Sequence, residues 1–82
     1  MRLSKRHAIE MPDVGDVAEA VVVQWLCSVG DEIKEGDDLL EVETSKTTFV
    51  VPAPMDGVLQ SICADAGTRV LQGMTLGWLS AA

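Results

Sequence analysis

Apolar residues recur along this chain in short runs separated by glycine, proline or aspartate. The runs are AEAVVVQWLC (18–27), DLLEVET (38–44), TTFVV (47–51), GVLQSIC (57–63) and MTLGWL (74–79). Each is short, rich in β-branched or aliphatic side chains and bounded by turn formers, so each predicts a strand. Positions 40, 42, 44 and 47, 49, 51 alternate as half-buried strands do, which points Phe49 and Val51 inward. Pro12, Pro52 and Pro54 fall at strand ends, where a missing N–H does no damage. The intervening SVGDEIKEGDDL (28–39) has too few apolar residues at helical spacing, and glycine interrupts it near both ends. The pattern predicts an all-β fold: two antiparallel sheets packed face to face as a flattened barrel or sandwich.

The pattern also repeats once. Residues 21–42 lie over 58–79, so that Val21 meets Val58, Gly30 meets Gly67, Ile33 meets Val70, Gly36 meets Gly73 and Leu39 meets Leu76. VGDEIKEGDDLLEV and AGTRVLQGMTLGWL are the two versions of one unit. Two copies are too few for a solenoid. They predict two half-domains closing on each other around a pseudo-two-fold axis. Lys46 falls between the halves, in a polar ETSKT turn anchored by Val42 and Val51. Symmetry sends this turn to one end of the molecule and the two chain ends to the other.

Size and charge narrow the function. Eighty-two residues make one domain with a thin core. A formal net charge of -7 argues against nucleic acid as a partner, since phosphate binding wants a basic face. Asp37, Asp38, Glu41 and Glu43 lie just before Lys46; they read either as a solvated face or as steering toward a basic partner. Cys27 and Cys63 lack metal-ligand spacing and His7 stands alone, so no metal site is expected. The two cysteines are read as buried free thiols and, with Trp25 and Trp78, are assigned to the core. No apolar stretch approaches the ~20 residues of a membrane-spanning helix. The basic start lacks the apolar run of a secretory signal. The expected location is cytoplasmic, or the mitochondrial matrix in a eukaryote.

No acid–base pair, histidine-activated nucleophile or phosphate loop is visible, so no catalytic residue is assigned. Lys46, like Lys34 and Lys5, reads as a solubilising lysine or as a reactive one. A general-base or Schiff-base role needs desolvation or a neighbouring cation. Glu43, Ser45 and Thr47 supply neither. Covalent attachment is the functional role that remains.

ETSKT on a hairpin, Gly36 and Gly57 in its flanks, the opening IEMPDVGD, the WLCSVGDEIKEGDDLLEVETSK block and the later VPAPMDGVLQSICADAGTRVLQGMTLGWL resemble the lipoyl domain of 2-oxo acid dehydrogenase complexes. The likeness runs over residues 8–80, leaving 1–7 as an expected flexible N-terminal segment. It implies that Lys46 carries lipoate in amide linkage, and that Gly36 and Gly57 serve tight turns or close backbone approach. It implies partner recognition by the residues about the turn, Glu43, Thr44, Ser45 and Thr47, and by Asp13 and Asp16 in the loop after the first strand. Two positions depart from the family: Ser45 stands where Asp often precedes the lysine, and Asp16-Val17 where Glu-Gly is common.

The implied function is that of a non-catalytic swinging-arm carrier of acyl groups and reducing equivalents. Its implied partners are a lipoate ligase or lipoyl transferase, a thiamine-diphosphate-dependent decarboxylase, an acyltransferase core and dihydrolipoyl dehydrogenase. Acylation substrates include 2-oxo acids and acetoin. The chain fits either a free-standing carrier or the N-terminal part of a longer acyltransferase. Two other readings stand beside it. A biotin carboxyl carrier domain usually has Met on both sides of the lysine, where this chain has Ser45 and Thr47. The other is a β-barrel interaction module whose lysine stays unmodified.

Overall fold

A computed structural model describes residues 6–13 and 19–81. The strands are β1 (Arg6–Glu10), β2 (Ala20–Trp25), β3 (Glu32–Ile33), β4 (Asp38–Thr44), β5 (Thr48–Pro52), β6 (Gly57–Ile62), β7 (Arg69–Val70) and β8 (Thr75–Ser80). They form two four-stranded antiparallel sheets, ordered β1-β8-β6-β3 and β5-β4-β2-β7. Both sheets are open, so the fold is a sandwich and the barrel alternative drops out. β1 begins at Arg6, ahead of the expected domain start at residue 8, because Arg6 pairs with Ser80 and His7 with Leu79.

The pseudo-two-fold axis is visible strand by strand. β2, β3 and β4 correspond to β6, β7 and β8, and β5 corresponds to β1. Each half lends its two-residue strand to the other sheet: β3 pairs with β6, and β7 pairs with β2. The halves therefore cannot separate without breaking both sheets. Even the irregularities repeat. Register shifts between Val22 and Gln24 in β2, and between Leu59 and Ser61 in β6. Simple alternation from Val22 would aim Gln24 at the core. The bulge turns it outward, where its amide donates to the Glu41 carboxylate.

The core lies between the sheets and obeys the same symmetry. Val22 and Leu59, Ile33 and Val70, Leu39 and Leu76, Val42 and Leu79, and Ile9 and Val51 are all buried. Phe49 packs partly buried against this cluster, as expected of an inward position. Leu39 and Leu40 are both fully buried although adjacent, because the β4–β5 register shifts between Asp38 and Leu40. Trp25 covers the core edge and donates its indole N–H to the Ala64 carbonyl at 2.7 Å.

Two core assignments need correction. Cys63 is exposed, because it follows the end of β6 in a connecting segment. Trp78 is half-buried on the outer side of its sheet, with the Arg6 guanidinium 4.9 Å from its ring centroid. Trp25 and Cys27 do pack against the core, though neither is fully buried. Both cysteines are free thiols.

Candidate functional site

The β4–β5 hairpin closes through residues 44–47, after the Glu43–Thr48 pair. Two-residue hairpin turns usually require positive φ, and so favour Asn or Gly. Among the described residues no non-glycine residue has positive φ, so Ser45 and Lys46 meet no such demand. The turn is held instead by the Thr44 side chain. Its hydroxyl accepts from Lys46 N at 3.2 Å and Thr47 N at 3.0 Å, and donates to the Thr47 carbonyl at 2.8 Å. Thr44 N also donates to that carbonyl at 2.7 Å. Thr44 is 9% exposed, a polar group inside the sandwich with its hydrogen-bonding capacity used. A threonine hydroxyl thus takes the place of the backbone acceptor of an ordinary turn.

Lys46 stands exposed at the tip of this braced turn. No hydrogen bond or ion pair to a described residue holds its ammonium; Arg69 nearby is paired to Glu19 at 3.2 Å. A shallow open depression beside it, about 310 Å³, is lined by Glu19, Val21, Glu43, Thr44 and Ser45. A desolvated site around Lys46 would be needed to make its amine a catalytic base; among the described residues the turn leaves it exposed. An amine in this position is accessible to a modifying enzyme, and a group in amide linkage to it would extend into solvent.

The pairing pattern fixes where the described chain ends lie. At the other end of the hairpin from Lys46, Asp38 pairs with Pro52, and Gly36 N donates to Ala53 O. The turn there joins β4 to Ile33, which pairs with Gly57. The neighbouring residue Val58 pairs with Ser80, and Ser80 pairs with Arg6. Both described chain ends therefore lie with the start of β4. The seven-residue length of that strand, about 20 Å, separates them from Lys46.

The remaining expected site residues sort by position. Glu43, Ser45 and Thr47 are exposed around the turn, and Asp13 is exposed just beyond β1. Thr44 departs from the expected recognition role, since it is buried and braces the turn from within. Asp16 lies outside the described residues. Gly36 has φ +91°, which reserves its turn for glycine. Gly57 meets the second of the two expected requirements: it opens β6, and a Cβ there would stand 2.5 Å from the Ser80 carbonyl oxygen. Close approach, not positive φ, is its requirement. Among the described residues no group of three or more His, Cys, Asp and Glu side chains could hold a metal.

Comparison with known proteins agrees with this geometry. The profile of the Biotin_lipoyl family, described as biotin-requiring enzyme, matches residues 7–79. The succinyltransferase component of the 2-oxoglutarate dehydrogenase complex from Buchnera aphidicola (Baizongia pistaciae) is 39% identical over 72 residues, covering 87% of this chain and 18% of that protein. The acetyltransferase component of the pyruvate dehydrogenase complex from Corynebacterium glutamicum is 41% identical over 64 residues, covering 77% of this chain and 10% of that one. This chain thus spans less than a fifth of the length of these relatives. The solution structure of the lipoyl domain of the 2-oxoglutarate dehydrogenase complex from Azotobacter vinelandii superposes with TM-score 0.68 and 28% identity, covering 92% of this chain and 98% of that one. The chain belongs to the biotin/lipoyl family, as a lipoyl domain homologous to those of 2-oxo acid dehydrogenase acyltransferases.

Proposed function

We propose that this domain is the swinging-arm carrier of a 2-oxo acid or acetoin dehydrogenase complex, with lipoate joined through an amide to Lys46. The observation that carries the reading is the position of Lys46: exposed, on a turn braced by Thr44, at the end of the molecule away from both described chain ends. When bound, the lipoyl group supplies a disulfide that can be reduced to two thiols, one of which accepts an acyl group. The protein's own contribution is presentation. Lysine and lipoyl chain together span about 10–15 Å of rotatable bonds, and the stiff hairpin keeps the backbone from folding back over them.

Partners follow from that chemistry. A lipoate ligase or lipoyl transferase makes the amide, a thiamine-diphosphate-dependent decarboxylase loads the acyl group, an acyltransferase core unloads it, and dihydrolipoyl dehydrogenase restores the disulfide. Tethering these steps to one mobile domain raises the effective concentration of the carrier at each of them. Amide formation also removes one positive charge, taking the formal charge from -7 to about -8. A more acidic tip suits a basic entrance on the partner. The biotin alternative shares the family description, but Ser45 and Thr47 flank the lysine and the relatives named above favour lipoate.

Reductive acylation tests the reading. The lipoylated domain is offered to decarboxylases specific for pyruvate, 2-oxoglutarate, branched-chain 2-oxo acids and acetoin, with labelled substrate. One of them should transfer label to the protein, and the label should be released by coenzyme A and an acyltransferase core. Absence of label with every decarboxylase would reject the carrier role.

A further inference from the structure

The turn after β7 breaks the symmetry of the molecule in its chemistry while keeping it in its backbone. In the first half, Lys34 N donates to the Asp37 carboxylate at 2.9 Å and Asp37 N returns to the Lys34 carbonyl at 2.9 Å. In the second half, Leu71 N meets the Met74 sulfur at 3.1 Å and Met74 N returns to the Leu71 carbonyl at 3.0 Å. Docking to the rest of the fold matches too. Gly36 N donates to Ala53 O and Gly73 N to Met11 O, both at 2.9 Å. The geometry of this turn is thus satisfied by lysine and aspartate, with a better acceptor than a thioether sulfur.

Yet the second turn carries Leu71 at 61% exposure and Met74 at 39%. Its place in the molecule differs as well. Val70 pairs with Ala20, and Ala20 pairs with Thr44. The apolar turn therefore sits at the Lys46 end, two strand spacings or about 10 Å from the lysine's hairpin. The polar counterpart, Lys34 to Asp37, sits at the opposite end, with Arg6 and Ser80. Beside the apolar turn Arg69 and Glu19 form an ion pair at 3.2 Å, and Glu43 faces solvent across Val21 from Arg69.

We propose that Leu71 and Met74 form an apolar docking point for the decarboxylase that loads the arm, an enzyme whose channel mouth carries an apolar socket edged by lysine or arginine. The inference rests on the proposed function. A decarboxylase handling a water-sensitive acyl donor has to exclude solvent while the arm is inside. With an arm of about 10–15 Å, the tip of the domain is pressed against the channel mouth. An apolar centre with a polar rim is the anatomy of a protein interface, and the domain's formal charge of -7 assigns the basic residues to the partner. Met74 adds an adaptable surface to the contact.

The test exchanges the chemistry of the two turns. Leu71→Lys with Met74→Asp installs the side chains that the equivalent turn already accommodates, so the fold and modification at Lys46 should be retained. With the decarboxylase that acylates the wild-type domain, KM for the lipoylated variant should rise about tenfold or more while kcat holds, the mark of lost binding energy. Leu71→Ser alone should give a smaller rise in the same direction. In a separate readout free of turnover, the 15N-labelled unlipoylated domain is titrated with that decarboxylase. Amide signals of residues 71–74 should broaden, and those of residues 34–37 should not.

Intact mass separates the possible failures. A wild-type domain that gains no lipoyl mass overturns the proposed function and this docking point with it. A wild type that is lipoylated but acylated by none of the decarboxylases overturns the carrier role and the partner named here, leaving the attachment site standing. A wild type that is lipoylated and acylated, with a folded variant of unchanged KM, overturns the docking point alone.

Discussion

Thr44→Val tests how the sequence makes a rigid tip without glycine. Valine keeps the shape of threonine and removes only the hydroxyl. Three hydrogen bonds meet at that oxygen, from Lys46 N, from Thr47 N and to the Thr47 carbonyl. Each is worth a net ~0.5–1.5 kcal/mol in folding. The backbone groups of Lys46 and Thr47 lie at an exposed tip, so water replaces much of what the hydroxyl gave, and Thr44 N still donates to Thr47 O. The expected loss is therefore about 1–2 kcal/mol, below the sum of the three bonds. For a domain of this size that lowers Tm by about 4–8 °C for each kcal/mol.

Thr44→Ser is the control. It keeps the hydroxyl and gives up one methyl group, about 0.8 kcal/mol. Urea titrations of the three proteins should rank wild type above Thr44→Ser and Thr44→Val last. Initial rates of lipoylation at Lys46 should be near wild type for Thr44→Ser and clearly slower for Thr44→Val. If Thr44→Val matches Thr44→Ser in stability and is modified at the wild-type rate, the hydroxyl does not organise the turn and the argument fails.

Other expectations follow from the packing and the pairing of the strands. Gly57→Val places a side chain against the Ser80 carbonyl, which as backbone cannot swing aside; a loss of about 1–3 kcal/mol in urea is expected. Because that strain lies at the end opposite Lys46, folded Gly57→Val should still be lipoylated at the wild-type rate, and a slowed rate would show that the two ends are coupled. The Cys27 thiol is held above its ordinary pKa by burial, then by the charges of Asp31 and Asp37. A raised folded-state pKa favours folding below the unfolded value of ~8.5, and that contribution is lost as pH rises through the folded value. The stability difference between wild type and Cys27→Ala should therefore shift against wild type from about pH 8.5 upward; a difference independent of pH would contradict this. Iodoacetamide should modify exposed Cys63 ahead of Cys27, and the reverse order, read by peptide mass, would contradict the burial assigned to each.

The strands and their two-fold order were legible because hydrophobic alternation and turn formers are local signals. Val21 aligned with Val58 and Gly36 with Gly73 on sequence alone, and the sheets repeat that correspondence. Lys46 could be placed at the tip from its position between the repeats. The two-residue strands β3 and β7 were not legible, since EI and RV carry no period, and it takes the partner half to make them strands. Bulges at Val22/Gln24 and Leu59/Ser61 were hidden for the same reason. The brace at Thr44 was concealed in plain view: a threonine closing an alternating run reads as a strand residue, and only the folded turn aims its hydroxyl at three backbone groups. Cys63 was misplaced because its apolar run, GVLQSIC, outlasts the strand by one residue. The exposed pair Leu71 and Met74 had a signal that could have been read, since the equivalent positions of the first repeat are Lys34 and Asp37.

The central claim is that one amine, presented by a braced turn, carries the lipoyl group. Protein incubated with lipoate ligase, ATP and lipoate is digested and its peptides are mapped by mass. The account predicts a gain equal to lipoate less one water on the peptide containing Lys46, with the peptides of Lys34 and Lys5 unchanged and no gain in Lys46→Arg. A lipoyl gain on Lys34 or Lys5, or one that persists in Lys46→Arg, would contradict it.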